Sequence, residues 1–249
     1  MIKIAHRKDE VQHAKDDKLE LHEIKALMHN LKGSHKFIFT ALLYGGMRVG
    51  ELVHMRSSWI HIDDEYSESQ GYNYIQIPFK GQKCDCDQCL LNAYISHVRD
   101  DQEKSKEWYR NVRAKFYMLK GKGKLPVSEG LWRPKSKKSS RRIPILMDEF
   151  RDELLSFYSK HDSLGMIRQQ VGEIVKRESN TILGRHLYPH AIRATTASLW
   201  VDSGLNITSL MKTMGWETMN TAQIYIDASD KQAIEDAQRK ASVFEQLIN

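Results

Sequence analysis

Two arginines, a histidine, a tryptophan and a tyrosine are spaced in this 249-residue chain so that together they could grip and attack a phosphate. His190 and Arg193 stand three apart in PHAIR, so on a helix they share a face. Trp216 follows Arg193 by 23 residues in a GW pair, and Tyr225 comes nine later within QIYI. Upstream, GGMRVGEL sets Arg48 between a glycine pair and a helix start. A guanidinium is a planar fork that bonds phosphate oxygens two at a time and stays charged at any working pH. A tyrosine beside such a clamp is a candidate nucleophile. Taken singly, each residue has a plainer reading: a surface charge, a structural histidine, a core tryptophan, a packed tyrosine with its hydroxyl bonded.

A second cluster is CDCDQC, which holds Cys84, Cys86 and Cys89, every cysteine of the chain. Thiolates at that spacing suit Zn²⁺, with His97 as a candidate fourth ligand; reduced surface thiols are the competing reading. Three cysteines exclude a disulfide framework. Any zinc here would be structural, stapling a segment that otherwise lacks a core. The nearest carboxylate cluster, Asp63-Asp64-Glu65, sits on a turn without a partner motif, which argues against a metal-dependent nuclease.

Charge is distributed unevenly. The chain has 38 Lys and Arg against 32 acids, a net of +6. Residues 103–142 alone carry fourteen basic residues against three acids, leaving 24 against 29 elsewhere. A basic stretch of that density on a slightly acidic body reads as a footprint for a polyanion, nucleic acid before membrane. No apolar run approaches the ~20 residues of a membrane span, and the N-terminus lacks a signal-peptide pattern, so a cytoplasmic location is expected.

The elements that must position these groups are mostly helical. Residues 1–17 are polar, and helical spacing begins with Leu19, Leu21, Ile24, Leu27, Met28 and Leu31, ending at Gly33. A second helix is expected over 36–44 and a short third from Val49. Residues 59–62 and 72–79 read as strands joined by a polar turn, and 141–146 as a third strand, with Pro144 pointing to an edge. An insertion over about 80–140 holds the cysteines and most of the basic excess. A helix is expected there over 101–119, with 120–130 a mobile loop. After Asp148 helices are expected over 148–160, 163–178, 190–203, 206–214, 218–226 and 230–246. The last carries an apolar stripe that packs at home or on a neighbouring protomer.

In order and spacing these motifs resemble the tyrosine recombinases of the phage-integrase type. LLYGGMRVGEL at 42–52 is similar to the first arginine box, and PKSKKSSRRIPI at 134–145 to the lysine region. PHAIRATTASLWVDSGLNITSLMKTMGWETMNTAQIYI at 189–226 is similar to the second arginine box through to the nucleophile. The resemblance spans roughly 18–230 and implies a catalytic domain over 18–249. The implied fold is mainly α with a small three-stranded antiparallel sheet. It implies that Arg48 and Arg193 bind the scissile phosphodiester, that Tyr225 forms a 3′-phosphotyrosyl bond, and that His190 acts as base or phosphate donor. Lys135, with Lys137 in reserve, would be the general acid. The chemistry would need neither ATP nor metal. Double-stranded DNA is the expected partner, bound by a homo-tetramer, and the expected role is integration, excision or multimer resolution for a virus or mobile element. The alternatives are a type IB topoisomerase-like relaxing enzyme and a non-catalytic DNA-binding protein of the same fold.

Three departures matter. Trp216 stands where most of the family has histidine; an indole N–H can donate to phosphate but cannot shuttle a proton. Ala194 replaces a common histidine after Arg193. Only 47 residues precede Arg48, whereas the family usually carries a separate helical domain there. The basic insertion is therefore expected to supply part of the DNA clamp.

Overall fold

The computed structural model describes residues 17–98 and 105–226, with Gln238. The expectations for residues 1–16 and for a helix over 230–246 lie outside the described residues. Five helices build the body around one buried rod: α1 (Leu21–Asn30), α2 (Gly33–Leu43), α7 (Asp148–Tyr158), α8 (Arg168–Leu183) and α9 (Pro189–Asp202). Beyond its polar first turn α2 is enclosed on every side, with Phe37 to Leu43 all buried. A helix without a polar face has to sit at the centre. α1, α7, α8 and α9 surround it, and Phe37 stacks on Phe157 of α7 at 4.1 Å. Each fully buried Phe or Leu in such a rod contributes about 1.5–3 kcal/mol.

Short elements carry the chain from α2 to the sheet and back. They are α3 (Val49–Leu52), β1 (Ile60–His61), α4 (Glu65–Gln70), β2 (Tyr74–Ile77) and, after the insertion, β5 (Arg141–Pro144). The sheet is antiparallel in the order β1-β2-β5, with Ile75 opposite both Ile60 and Ile143. Pro144 lies on β5, an edge strand as its missing N–H requires. The turn between β1 and β2 is not a plain turn but contains α4. Asp64 accepts from Ser67 N–H at 2.7 Å and Ser67 Oγ accepts from Asp64 N–H at 2.9 Å, a reciprocal cap. Asp63 pairs with Arg151. Both aspartates of that acidic run thus have structural partners.

The insertion is ordered by more than the one expected helix. It holds a second sheet of β3 (Gln82–Cys84) and β4 (Gly130–Trp132), and helices α5 (Asp87–His97) and α6 (Lys106–Gly121). It also has a small core of its own, in which Leu90, Leu91 and Tyr94 meet Phe116. Two helices complete the chain described: α10 (Ile207–Met214) and α11 (Met219–Ile226). No helix among the described residues is long and apolar enough to cross a membrane.

Candidate active site

The site gathers at the C-terminal end of α10. The last carbonyls of any α-helix lack intrahelical donors and carry the negative end of its dipole. Here three consecutive carbonyls are met by three arginines from distant segments. Arg141 Nε donates to Thr213 O at 2.8 Å, Arg193 Nη2 donates to Met214 O, and Arg48 Nη2 donates to Gly215 O at 2.7 Å. Arg193 also donates through Nη1 to Gly46 O. Gly215 ends the helix in the left-handed region, at φ 62°. A Cβ there would stand 3.1 Å from Arg141 Cδ, Arg141 Nη1 and Lys138 O. Gly46, at φ 51°, makes the corresponding bend before Arg48 and turns its carbonyl to Arg193.

A single carboxylate bonds two of the three cations directly. Glu51 is 2% exposed. It accepts two bonds from Arg141, at 2.9 and 3.0 Å, and one from Arg48 Nη1 at 2.9 Å. Burial pushes its carboxyl up, but the Arg141 guanidinium, aided by Arg193 and Arg48, outweighs burial and holds it down at about 2. Ser139 Oγ accepts a further bond from Arg48, at 3.2 Å. Three guanidiniums around one carboxylate leave the cluster with an excess of positive charge. Arg193 registers that excess: burial, then Arg141, lowers its proton affinity well below the ordinary arginine value, partly offset by Glu51.

Trp216 and Tyr225 close one side. Their rings stack at 5.2 Å and 15°, both nearly buried, and the Arg193 guanidinium lies 6.0 Å from the Trp216 ring centre. Burial raises the Tyr225 phenol above its ordinary value and Arg193 pulls it back in part. The phenol is therefore protonated at neutral pH and must lose its proton during any attack. A groove beside the cluster is lined by Gln76, Lys138, Arg141, Arg142, Lys212 and Trp216.

Of the residues singled out in the sequence, the structure brings Arg48, Arg193, Trp216 and Tyr225 together. His190 sits exposed in the first turn of α9, while Arg193 on the same helix points into the core. Lys135 is exposed on the loop leading to a 3₁₀ turn at Lys137–Ser139. Lys138 is the lysine of that loop with a contact at the site, its Nζ 3.4 Å from Glu217 O. Sequence reasoning misses Glu51 and Arg141, the buried pair at the centre.

The cysteines also converge, but on a different histidine. Cys84, Cys86 and Cys89 surround His54, while His97 is exposed in the last turn of α5. His97 is therefore replaced by His54 as the candidate fourth ligand.

The architecture is similar to that of solved recombinase and integrase structures. It superposes on XerA recombinase with a TM-score of 0.54 at 17% identity, covering 89% of this chain and 62% of that one. It superposes on the Tn1549 transposon integrase in complex with a circular intermediate DNA with a TM-score of 0.58 at 15% identity, covering 89% and 65%. The chain thus spans less than two thirds of these proteins, and at such identities the likeness is one of fold. Two sequence matches cover part of the chain. Residues 121–232 match the phage integrase family model. Over 67 residues the chain is 34% identical to the tyrosine recombinase XerC of Corynebacterium glutamicum, covering 27% of this chain and 22% of that one. The family match and the relative thus cover the C-terminal half and a 67-residue stretch of the chain respectively, and the likeness over its full length is one of fold.

Proposed function

We propose that this chain cleaves and rejoins double-stranded DNA through a 3′-phosphotyrosyl intermediate, as a site-specific recombinase or integrase. The observation that carries the reading is the cluster of Arg48, Arg141 and Arg193 on three successive carbonyls, with Tyr225 stacked beside it. Arg48 and Arg193 hold the non-bridging oxygens of the scissile phosphate and offset the charge that builds as phosphorus becomes five-coordinate. The cluster is already assembled by its own hydrogen bonds, so it offers its cations with little reorganisation left to the reaction.

Tyr225 Oη attacks phosphorus and the bond to the 5′-oxygen breaks. The phenol proton leaves to His190 or to water, and a lysine of the 135–138 loop protonates the departing 5′-oxygen. The family register assigns that role to Lys135; proximity favours Lys138. A second strand's 5′-hydroxyl then attacks the phosphotyrosine, restoring a phosphodiester and the free tyrosine. One phosphate ester forms for each one broken, so the energy of the cut strand stays in the protein–DNA bond and no ATP is consumed. Trp216 donates its indole N–H to the phosphate and takes no proton. The working assembly is a homo-tetramer on duplex DNA, with the basic insertion gripping backbone phosphates.

The test is a nicked suicide duplex, incubated with wild type and Tyr225→Phe and run on denaturing gels. The expected result is a covalent adduct with wild type alone. An adduct that survives Tyr225→Phe would refute the nucleophile. The same gels with Lys135→Ala and Lys138→Ala, on DNA with a 5′-thiol leaving group that needs no acid, identify the lysine: the true acid's variant regains cleavage. Strand transfer between two duplexes separates recombination from simple relaxation.

A further inference from the structure

Far along the chain from Tyr225, four ligand-type side chains meet with no part in the chemistry above. His54, Cys84, Cys86 and Cys89 each turn one ligand atom to a common point, and these four atoms lie within 4.8 Å of one another. His54 Nε2 is 3.4 Å from Cys86 Sγ and 3.3 Å from Cys89 Sγ. Around a tetrahedral zinc with metal–sulfur bonds of ~2.3 Å and a metal–nitrogen bond of ~2.0 Å, neighbouring ligand atoms stand about 3.5–3.8 Å apart. The cluster needs only a small adjustment to reach that geometry.

The surroundings are those of a ligand set. His54 Nδ1 donates to Gly50 O at 2.7 Å, which fixes the tautomer and leaves the lone pair of Nε2 facing the sulfurs. The His54 ring is further held by stacking on Trp132, at 5.2 Å and 18°. Cys86 N–H donates to Cys84 Sγ at 3.4 Å. Cys86 is the N-cap of α5 and Cys89 lies in its first turn, where the helix dipole favours thiolates. Cys84, Cys89 and His54 are buried and Cys86 half-buried.

We propose that His54, Cys84, Cys86 and Cys89 form a closed structural Zn²⁺ site that fastens the insertion to the back of the catalytic cluster. Three thiolates and one imidazole fill all four tetrahedral positions, so no place remains for water or substrate, and the metal is structural. Loading releases the three thiol protons to solvent. The connection is specific. His54 lies two residues after α3, the helix that Arg48 caps and that bears Glu51, whereas the cysteines open the insertion that carries α6 and its basic residues. The metal therefore ties the proposed DNA-gripping segment to the phosphate-binding residues.

The test uses the full chain, purified without a polyhistidine tag, and measures zinc by mass spectrometry. One equivalent is expected for wild type and for His97→Ala, and a large loss for His54→Ala and Cys86→Ser. Because His54→Ala could fail to fold, His54→Cys is the companion: four thiolates should still hold one zinc. Replacing zinc by Co²⁺ should give the intense visible bands of a tetrahedral thiolate site, changed in His54→Cys and weakened in His54→Ala. Chelation should speed limited proteolysis within 80–130 while the helices around α2 stay resistant. Metal-free wild type that gives no Co²⁺ bands would overturn the proposal. So would a disulfide within CDCDQC in the native mass, or zinc content indifferent to His54→Ala. None of these readouts depends on DNA cleavage, so the metal site and the recombinase reading stand or fall separately.

Discussion

Replacing Glu51 by Gln removes one charge from the centre of the site while keeping its shape. Glu51 is the only carboxylate bonded to the arginine cluster among the described residues, and it is held at about 2 against an ordinary 4.5. At ~1.4 kcal/mol for each tenfold change in proton affinity, that gap is worth about 3 kcal/mol of stability. Stripping one partner from a buried ion pair costs ~3–5 kcal/mol by the general measure, which agrees. Glu51→Gln should therefore unfold in urea with a midpoint lower by roughly 1–2 M at unchanged slope. The pH dependence follows from the sign of the shift. A carboxylate whose folded value is depressed contributes fully above about 4.5 and loses that contribution as pH falls towards about 2. The stability gap between wild type and variant should then close across that window. Sulfate should stabilise the variant more than wild type, because it supplies the missing counter-charge. A gap under ~1 kcal/mol at neutral pH, or one that stays constant on acidification, would refute the view that Glu51 balances the arginines.

Other substitutions probe separate parts of the same arrangement. Gly215→Ala must adopt a left-handed backbone and crowd Arg141, and should cost ~1–2 kcal/mol in chemical denaturation together with a loss of sulfate-induced stabilisation. Trp216→Ala removes the ring stacked on Tyr225 and should cost ~3–5 kcal/mol, whereas Trp216→Phe keeps a stacking face and should cost less than half of that. Neutralising Arg110, Arg113, Lys115, Lys122 and Lys124 together should weaken DNA binding and flatten its salt dependence, by ~0.9 in the log–log slope for each phosphate left without its cation; an unchanged slope in a filter-binding titration would remove the insertion from the interface.

Much of the framework is readable because it is local. The periodicity of α1 and of the helices after Asp148, the glycines that stop them, and the alternation of β2 and β5 are written within a few residues each. α4 escapes such a reading because it has no apolar stripe; its signal is the Asp64–Ser67 cap, which propensity alone overlooks. β3 and β4 are three residues each and pair across 45 intervening residues, so no window of sequence contains the pair. The same distance hides the centre of the site. Arg48 and Arg193 stand in recognisable boxes, but Glu51 and Arg141 meet across 90 residues, and nothing in either segment marks a charge as buried. His97 draws attention ahead of His54 because it is nearer to the cysteines along the chain, although the fold brings the earlier histidine back over them.

The anchoring of three arginines on Thr213, Met214 and Gly215 has a consequence for control. Independent supports would let each cation be lost by itself, and the site would fade by degrees. Here one helix end is a common footing, followed within ten residues by Tyr225. Displacing α10 would withdraw one support from each of the three cations at once, while Glu51 would still pair Arg48 with Arg141 and Gly46 would still hold Arg193. What such a shift would disturb first is therefore the alignment of the cations with Tyr225, not their presence.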